Sequence, residues 1–84
     1  MKVERMNGAP FTASDLHLAA YLLATDHPLL RLEGPPGRRS FVFDRVSPEI
    51  VTDFYSGAKV DARRLLGALR DLKGLVAQEG RGRA

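Results

Sequence analysis

Apolar and polar positions alternate with a clear helical period over Val60–Gln78, VDARRLLGALRDLKGLVAQ. At ~100° per residue, Leu65, Ala68, Leu69, Leu72, Leu75 and Val76 fall in one arc, with Ala62 and Leu66 at its margin. Arg63, Arg64, Gly67, Arg70, Asp71, Gly74 and Gln78 take the opposite arc, with Lys73 at its edge. The apolar arc is wider than a coiled-coil seam and suits a helix lying on a core. Asp61 is placed as its N-cap, and Val60 and Leu65 have the spacing of a hydrophobic staple.

Upstream, the same grammar predicts three further elements. In Phe11-Thr-Ala-Ser-Asp-Leu16 the spacing predicts a helix start with Thr12 as N-cap, Asp15 in a capping-box position and Phe11 stapled to Leu16. That helix, about Ala13 to Ala24, is apolar around most of its circumference and is expected to be buried on two sides, with Pro28 closing it. From Leu29 to Asp44 the pattern is that of a β-hairpin. Leu30 and Leu32 alternate with Arg31 and Glu33, and Phe41 and Phe43 alternate with Ser40, Val42 and Asp44. Gly34-Pro-Pro-Gly37 reads as its turn, with Pro36 at i+1 and Gly37 supplying a positive φ. Val46-Ser47-Pro48 opens a short helix, Pro48 to Tyr55, with Ser47 as N-cap and Gly57 as its left-handed terminator.

Together these predict a small α+β fold, an antiparallel hairpin or small sheet with helices packed on one face. A strand around Lys2 to Arg5 would precede it. The expected organisation is a single domain over residues 1–78 with a flexible glycine- and arginine-rich tail over 79–84.

Charge sharpens this picture. Met1–Ser56 carry six basic and seven acidic residues, whereas Gly57–Ala84 carry seven basic and three acidic. The net +3 of the chain thus belongs to the last helix and tail. No run approaches the ~18 apolar residues of a membrane span, and MKVERMNGAP lacks the apolar stretch of a signal peptide. The expectation is a soluble, cytoplasmic protein.

Candidate chemistry is sparse. The chain has no cysteine, so it offers no thiolate ligand or thiol nucleophile. His17 and His27 have no zinc-ligand spacing, and Glu49 and Asp53 read as an exposed pair on a short helix. Asp26-His27 with Ser14 or Ser47 has no nucleophile elbow to organise it. The turn prolines remove the N–H donors that a phosphate loop needs. These residues predict a protein that is not an enzyme and carries no cofactor and no metal.

Binding is the remaining reading. Arg38 and Arg39 at the hairpin, Lys59 before the last helix, and Arg63, Arg64, Arg70 and Lys73 on it are the candidate nucleic-acid contacts, with Arg81 and Arg83 beyond. Gly67 and Gly74, seven residues apart on the basic face, would let a sugar–phosphate backbone approach closely between arginines. The simpler account is a solvated face that tolerates glycine. Only Tyr21 and Tyr55 remain as stacking residues, because all four phenylalanines look committed to the core. The alternative function is a protein-interaction or homodimerisation module, such as a phage or mobile-element accessory factor. The over-apolar first helix, with Val42 and Leu29 on the hairpin's other face, would supply its interface.

The segments FTASDLHLAAYLL, HPLLRLEG, RRSFVFD, DFYSG and DARRLLGALRDLK, spread over about Phe11 to Val76, resemble a family of short bacterial and phage proteins classed as a domain of unknown function. The resemblance implies a free-standing small module and brings no activity, cofactor or site residue with it.

Overall fold

Three strands and three helices make up the computed structural model, which describes residues 10–35 and 37–82. They are β1 (Phe11–Ala13), α1 (Leu16–Ala24), β2 (Leu29–Glu33), β3 (Ser40–Phe43), α2 (Pro48–Tyr55) and α3 (Ala62–Gly82). The α+β class follows as predicted. The strand expected at Lys2–Arg5 lies outside the described residues.

The first helix begins later than the capping-box reading places it. Thr12 pairs with Val42 as part of β1, so it is a strand residue and not a cap. The N-cap is Asp15, whose Oδ1 accepts from the His17 backbone N–H at 2.8 Å. Both Thr12 and Asp15 have cap chemistry, and pairing with β3 satisfies the backbone of Phe11–Ala13 in a way a frayed first turn would not. At its far end α1 closes with a Schellman motif. The His27 N–H donates to the Leu22 carbonyl and the Asp26 N–H to the Leu23 carbonyl, with Asp26 left-handed at φ 69°. The His27 Nδ1 also lies 3.2 Å from the Leu22 oxygen, so this histidine serves the helix end.

The hairpin forms where the pattern places it. Arg38 N–H donates to the Pro35 carbonyl across the turn and Gly37 has φ 87°; the assignment of Pro36 lies outside the described residues. Gly34 has the stricter requirement. Its φ is 96°, and a Cβ there would stand 2.7 Å from the Arg38 carbonyl oxygen. The strands deviate from simple alternation at Leu30. Leu29 pairs with Phe43, but Arg31 pairs with Val42, which leaves Leu30 as an irregularity and turns it to solvent. Leu29 consequently joins the core face and does not share the opposite face with Val42.

Because β1 adds on the far side of β3, the sheet order is β1-β3-β2, all antiparallel. As the central strand, β3 has Phe41, Val42 and Phe43 all buried. Ala13, Phe41 and Phe43 form one core with six residues of α1 and with Ala68 and Leu72 of α3. The packing of α1 on α3 is the most extensive between helices, and α1 also meets α2 and β1. The apolar girth of α1 is therefore covered inside the chain. α2 is amphipathic, contributes half-buried Ile50, Val51 and Phe54, and ends in a second Schellman motif with Gly57 at φ 91°. Ser47 is its N-cap in position, with Pro48 following, but its side chain makes no cap hydrogen bond.

Candidate nucleic-acid interface

α3 is the element on which the basic face is built. Asp61 Oδ2 accepts from the Arg64 backbone N–H at 3.0 Å, and the Asp61 carbonyl accepts the first helical bond from Leu65. With the start fixed in this way, 21 residues form a rod about 31 Å long. It runs to Gly82, four residues past the end read from periodicity. Ala68 and Leu72 are buried, Leu65, Leu69 and Val76 half-buried, and Leu66 stands 63% exposed at the margin of the stripe.

Opposite the stripe, Arg63, Gly67, Arg70 and Gly74 fall within about 60° of arc. Arg63, Gly67 and Arg70 of this face, with Leu66 from the margin of the stripe, line a shallow groove open to solvent. A Cβ added at Gly67 or at Gly74 would meet no atom within 4 Å. Nothing among the described residues therefore requires glycine at either position, although each weakens an exposed helix by about 1 kcal/mol relative to alanine.

The seven predicted contacts divide into groups. Arg63 and Arg70 share the groove just described. Lys73 and Arg39 meet across a second cleft, between the hairpin turn and α3, whose floor includes Leu16, Phe41 and Val76. Arg39 is half-buried and its Nη1 donates to the Gly34 carbonyl at 2.6 Å, which ties the guanidinium to the turn. Arg38 is exposed beside it, over Gly34 and Pro35. Lys59 is exposed in the loop before α3. Arg64 is directed elsewhere: its Nη2 donates to Asp26 Oδ1 at 2.8 Å, joining the start of α3 to the end of α1. This pair spans 38 positions in the chain and no local spacing announces it. The side chains of Arg81 and Arg83 lie outside what is described.

The remaining polar candidates are engaged locally. The Asp26 carboxylate faces Arg64, the His27 Nδ1 faces the Leu22 carbonyl and Thr25 Oγ1, and His17 projects into solvent beside Asp15. Among the described residues no group of three or more His, Asp or Glu side chains is placed to hold a metal ion, and no helix is long and apolar enough to cross a membrane.

One concavity was not foreseen from the sequence. It lies where α1, α2 and the first turns of α3 meet, on the far side of Leu66 from the arginine groove. Its signal was present in two small residues, Ala20 and Ala58, which leave space between larger neighbours. Compared with known proteins, the chain matches no family model, no curated protein and no solved structure.

Proposed function

We propose that this chain is a small non-catalytic module that binds the sugar–phosphate backbone of DNA or RNA through the Arg63–Arg70 face of α3. The observation that carries the reading is the pair of arginines flanking Gly67 on an exposed helix where added Cβ atoms would have open space. A flat, anionic backbone would use that space and place its phosphates between the guanidinium groups. Lys73 and Arg39 extend the cationic surface toward the hairpin. Arg64 supports the fold through Asp26 and stands at the edge of the proposed contact surface.

The test is fluorescence anisotropy of labelled single- and double-stranded oligonucleotides with the protein at 50 and 200 mM salt. Two to four phosphate contacts correspond to an affinity loss of about tenfold to a hundredfold over that range. The Arg63→Glu, Arg70→Glu double variant should abolish binding, and Arg64→Gln should reduce it by less than about threefold. Absence of binding at 50 mM salt, or binding that survives the double variant, would overturn the reading.

A further inference from the structure

The concavity beside Leu66 has a different chemistry from the arginine face. It encloses about 200 Å³, below the ~300–1,000 Å³ of sites that take drug-sized ligands. Its walls are Tyr21 and Phe54 on one side and Val60, Leu65, Leu66 and Leu69 on the other. The two aromatic rings stand 5.3 Å apart and are tilted by 43°. Ala20 and Ala58 leave the space open where larger residues would close it. Tyr21 is only 7% exposed, yet its hydroxyl has no hydrogen-bond partner among the described residues. No buried polar side-chain atom of the described residues is stranded without a partner, so this hydroxyl reaches solvent. The site thus offers a largely apolar slot of side-chain size, with His17 and Tyr21 the two polar-tipped residues of its lining.

The rim selects the kind of partner. Leu66 forms a wall of this slot and also of the groove that holds Arg63 and Arg70, so the two depressions are continuous across one side chain. Lys59 is exposed between the lining residues Ala58 and Val60. Two neighbouring acids, Asp61 and Asp15, are occupied in capping α3 and α1. A nucleobase suits the slot poorly, since most of its polar edge would face aliphatic and aromatic wall, with only His17 and Tyr21 to meet it. A second copy of the chain would bring the same cations against one another. We infer that the slot is a docking site for the apolar anchor of an acidic amphipathic segment of another protein, whose carboxylates lie along Lys59, Arg63 and Arg70. This inference rests on the slot and its rim and does not depend on the nucleic-acid reading. The two partners would compete for Arg63 and Arg70.

The experiment titrates the uniformly 15N-labelled full chain with three synthetic peptides and follows backbone amide shifts. The first peptide is an amphipathic helix with leucines at i, i+3, i+4 and i+7 and glutamates elsewhere. The second replaces glutamate with lysine, and the third scrambles the leucine positions. The expected result is saturable shifts around Tyr21, Phe54, Ala58 and Leu65 with the acidic peptide, about tenfold weaker with each of the other two. Ala58→Trp, which fills the slot from its exposed side, should weaken the acidic peptide by about tenfold while leaving oligonucleotide affinity within twofold. Leu66→Glu, a change at an exposed wall, should weaken it comparably and serves if Ala58→Trp does not fold. No shift of the lining amides with any peptide, or an acidic-peptide affinity unchanged by both variants, would overturn the inference. So would a concentration-dependent dimer that Ala58→Trp dissolves, which would make a second copy the occupant. Oligonucleotide-induced shifts in the same slot would assign it to nucleic acid and overturn the inference equally.

Discussion

Asp26 holds two positions at once, the left-handed residue that ends α1 and the carboxylate that meets Arg64. Left-handed backbone costs an ordinary L residue roughly 1–2 kcal/mol, less for aspartate, and nothing for glycine. The ion pair is exposed on both sides, so it contributes at most a few tenths of a kcal/mol up to about 1. Asp26→Gly should therefore leave stability unchanged within about 0.5 kcal/mol, whereas Asp26→Ala, which loses the pair and keeps the strain, should cost about 1 kcal/mol. Thermal unfolding resolves the two, since 1 kcal/mol corresponds to roughly 4–8 °C for a domain of this size. The start of α1 gives a second comparison. Asp15→Ala removes the cap bond to His17 N–H and should lower stability by about 1 kcal/mol in urea titration. Thr12→Ala, at an exposed strand position, should cost less than half of that. An equal loss for both would restore Thr12 as the cap. These two residues also show where local reading fails: Thr-x-x-Asp satisfies the capping grammar, and only the partner strand, about thirty positions away, decides between them.

At the level of elements, the pattern of the chain was most informative where one face is buried and one is wet. The period of α3, its Asp61 cap and the hairpin turn follow from such contrasts, and so does the left-handed Gly57 after α2. Where burial is two-sided the contrast vanishes. In β3, Phe41, Val42 and Phe43 are all buried, so the strand shows no wet face, and β1, which pairs with it, carries too few residues to have a pattern of its own. The irregularity at Leu30 moved Leu29 to the core face for the same reason: register is set by the partner strand. For the candidate site, the positions on α3 were legible but their division was not, because Arg64 is directed by a residue on another helix. The glycines of α3 provide the test at this scale. Gly67→Ala and Gly74→Ala should each stabilise the protein by about 1 kcal/mol in urea titration. If a sugar–phosphate backbone approaches across them, the same changes should weaken oligonucleotide binding severalfold. Stabilisation with undiminished binding would leave these glycines without a part in contact.

For the molecule as a whole, much of the apolar surface of α1 and the hairpin is covered within one chain. α1 is covered by α3, α2 and the sheet, Val42 is buried, and Leu29 belongs to the core. Along one side of α3 the arginine groove and the apolar slot share Leu66. A cationic face and an apolar depression joined in this way give the chain one continuous surface with two kinds of contact.

The strand order has a consequence for how the molecule assembles. The β2–β3 ladder closes across a turn of a few residues, but β1 must find β3 from the other side of α1 and β2. Chain closure over that longer distance costs more entropy for only three residues of pairing. The hairpin is thus expected to form before β1 pairs with it, and β1 to dock after the rate-limiting step. Stopped-flow refolding of Ala13→Gly should show faster unfolding with little change in the folding rate, and Phe41→Leu should slow folding as well. A β1 substitution that slowed folding in proportion to its loss of stability would place that strand in the nucleus. If β1 docks last, it is also the first part of the sheet to leave, and β3 would then be exposed along one edge before the rest of the core opens.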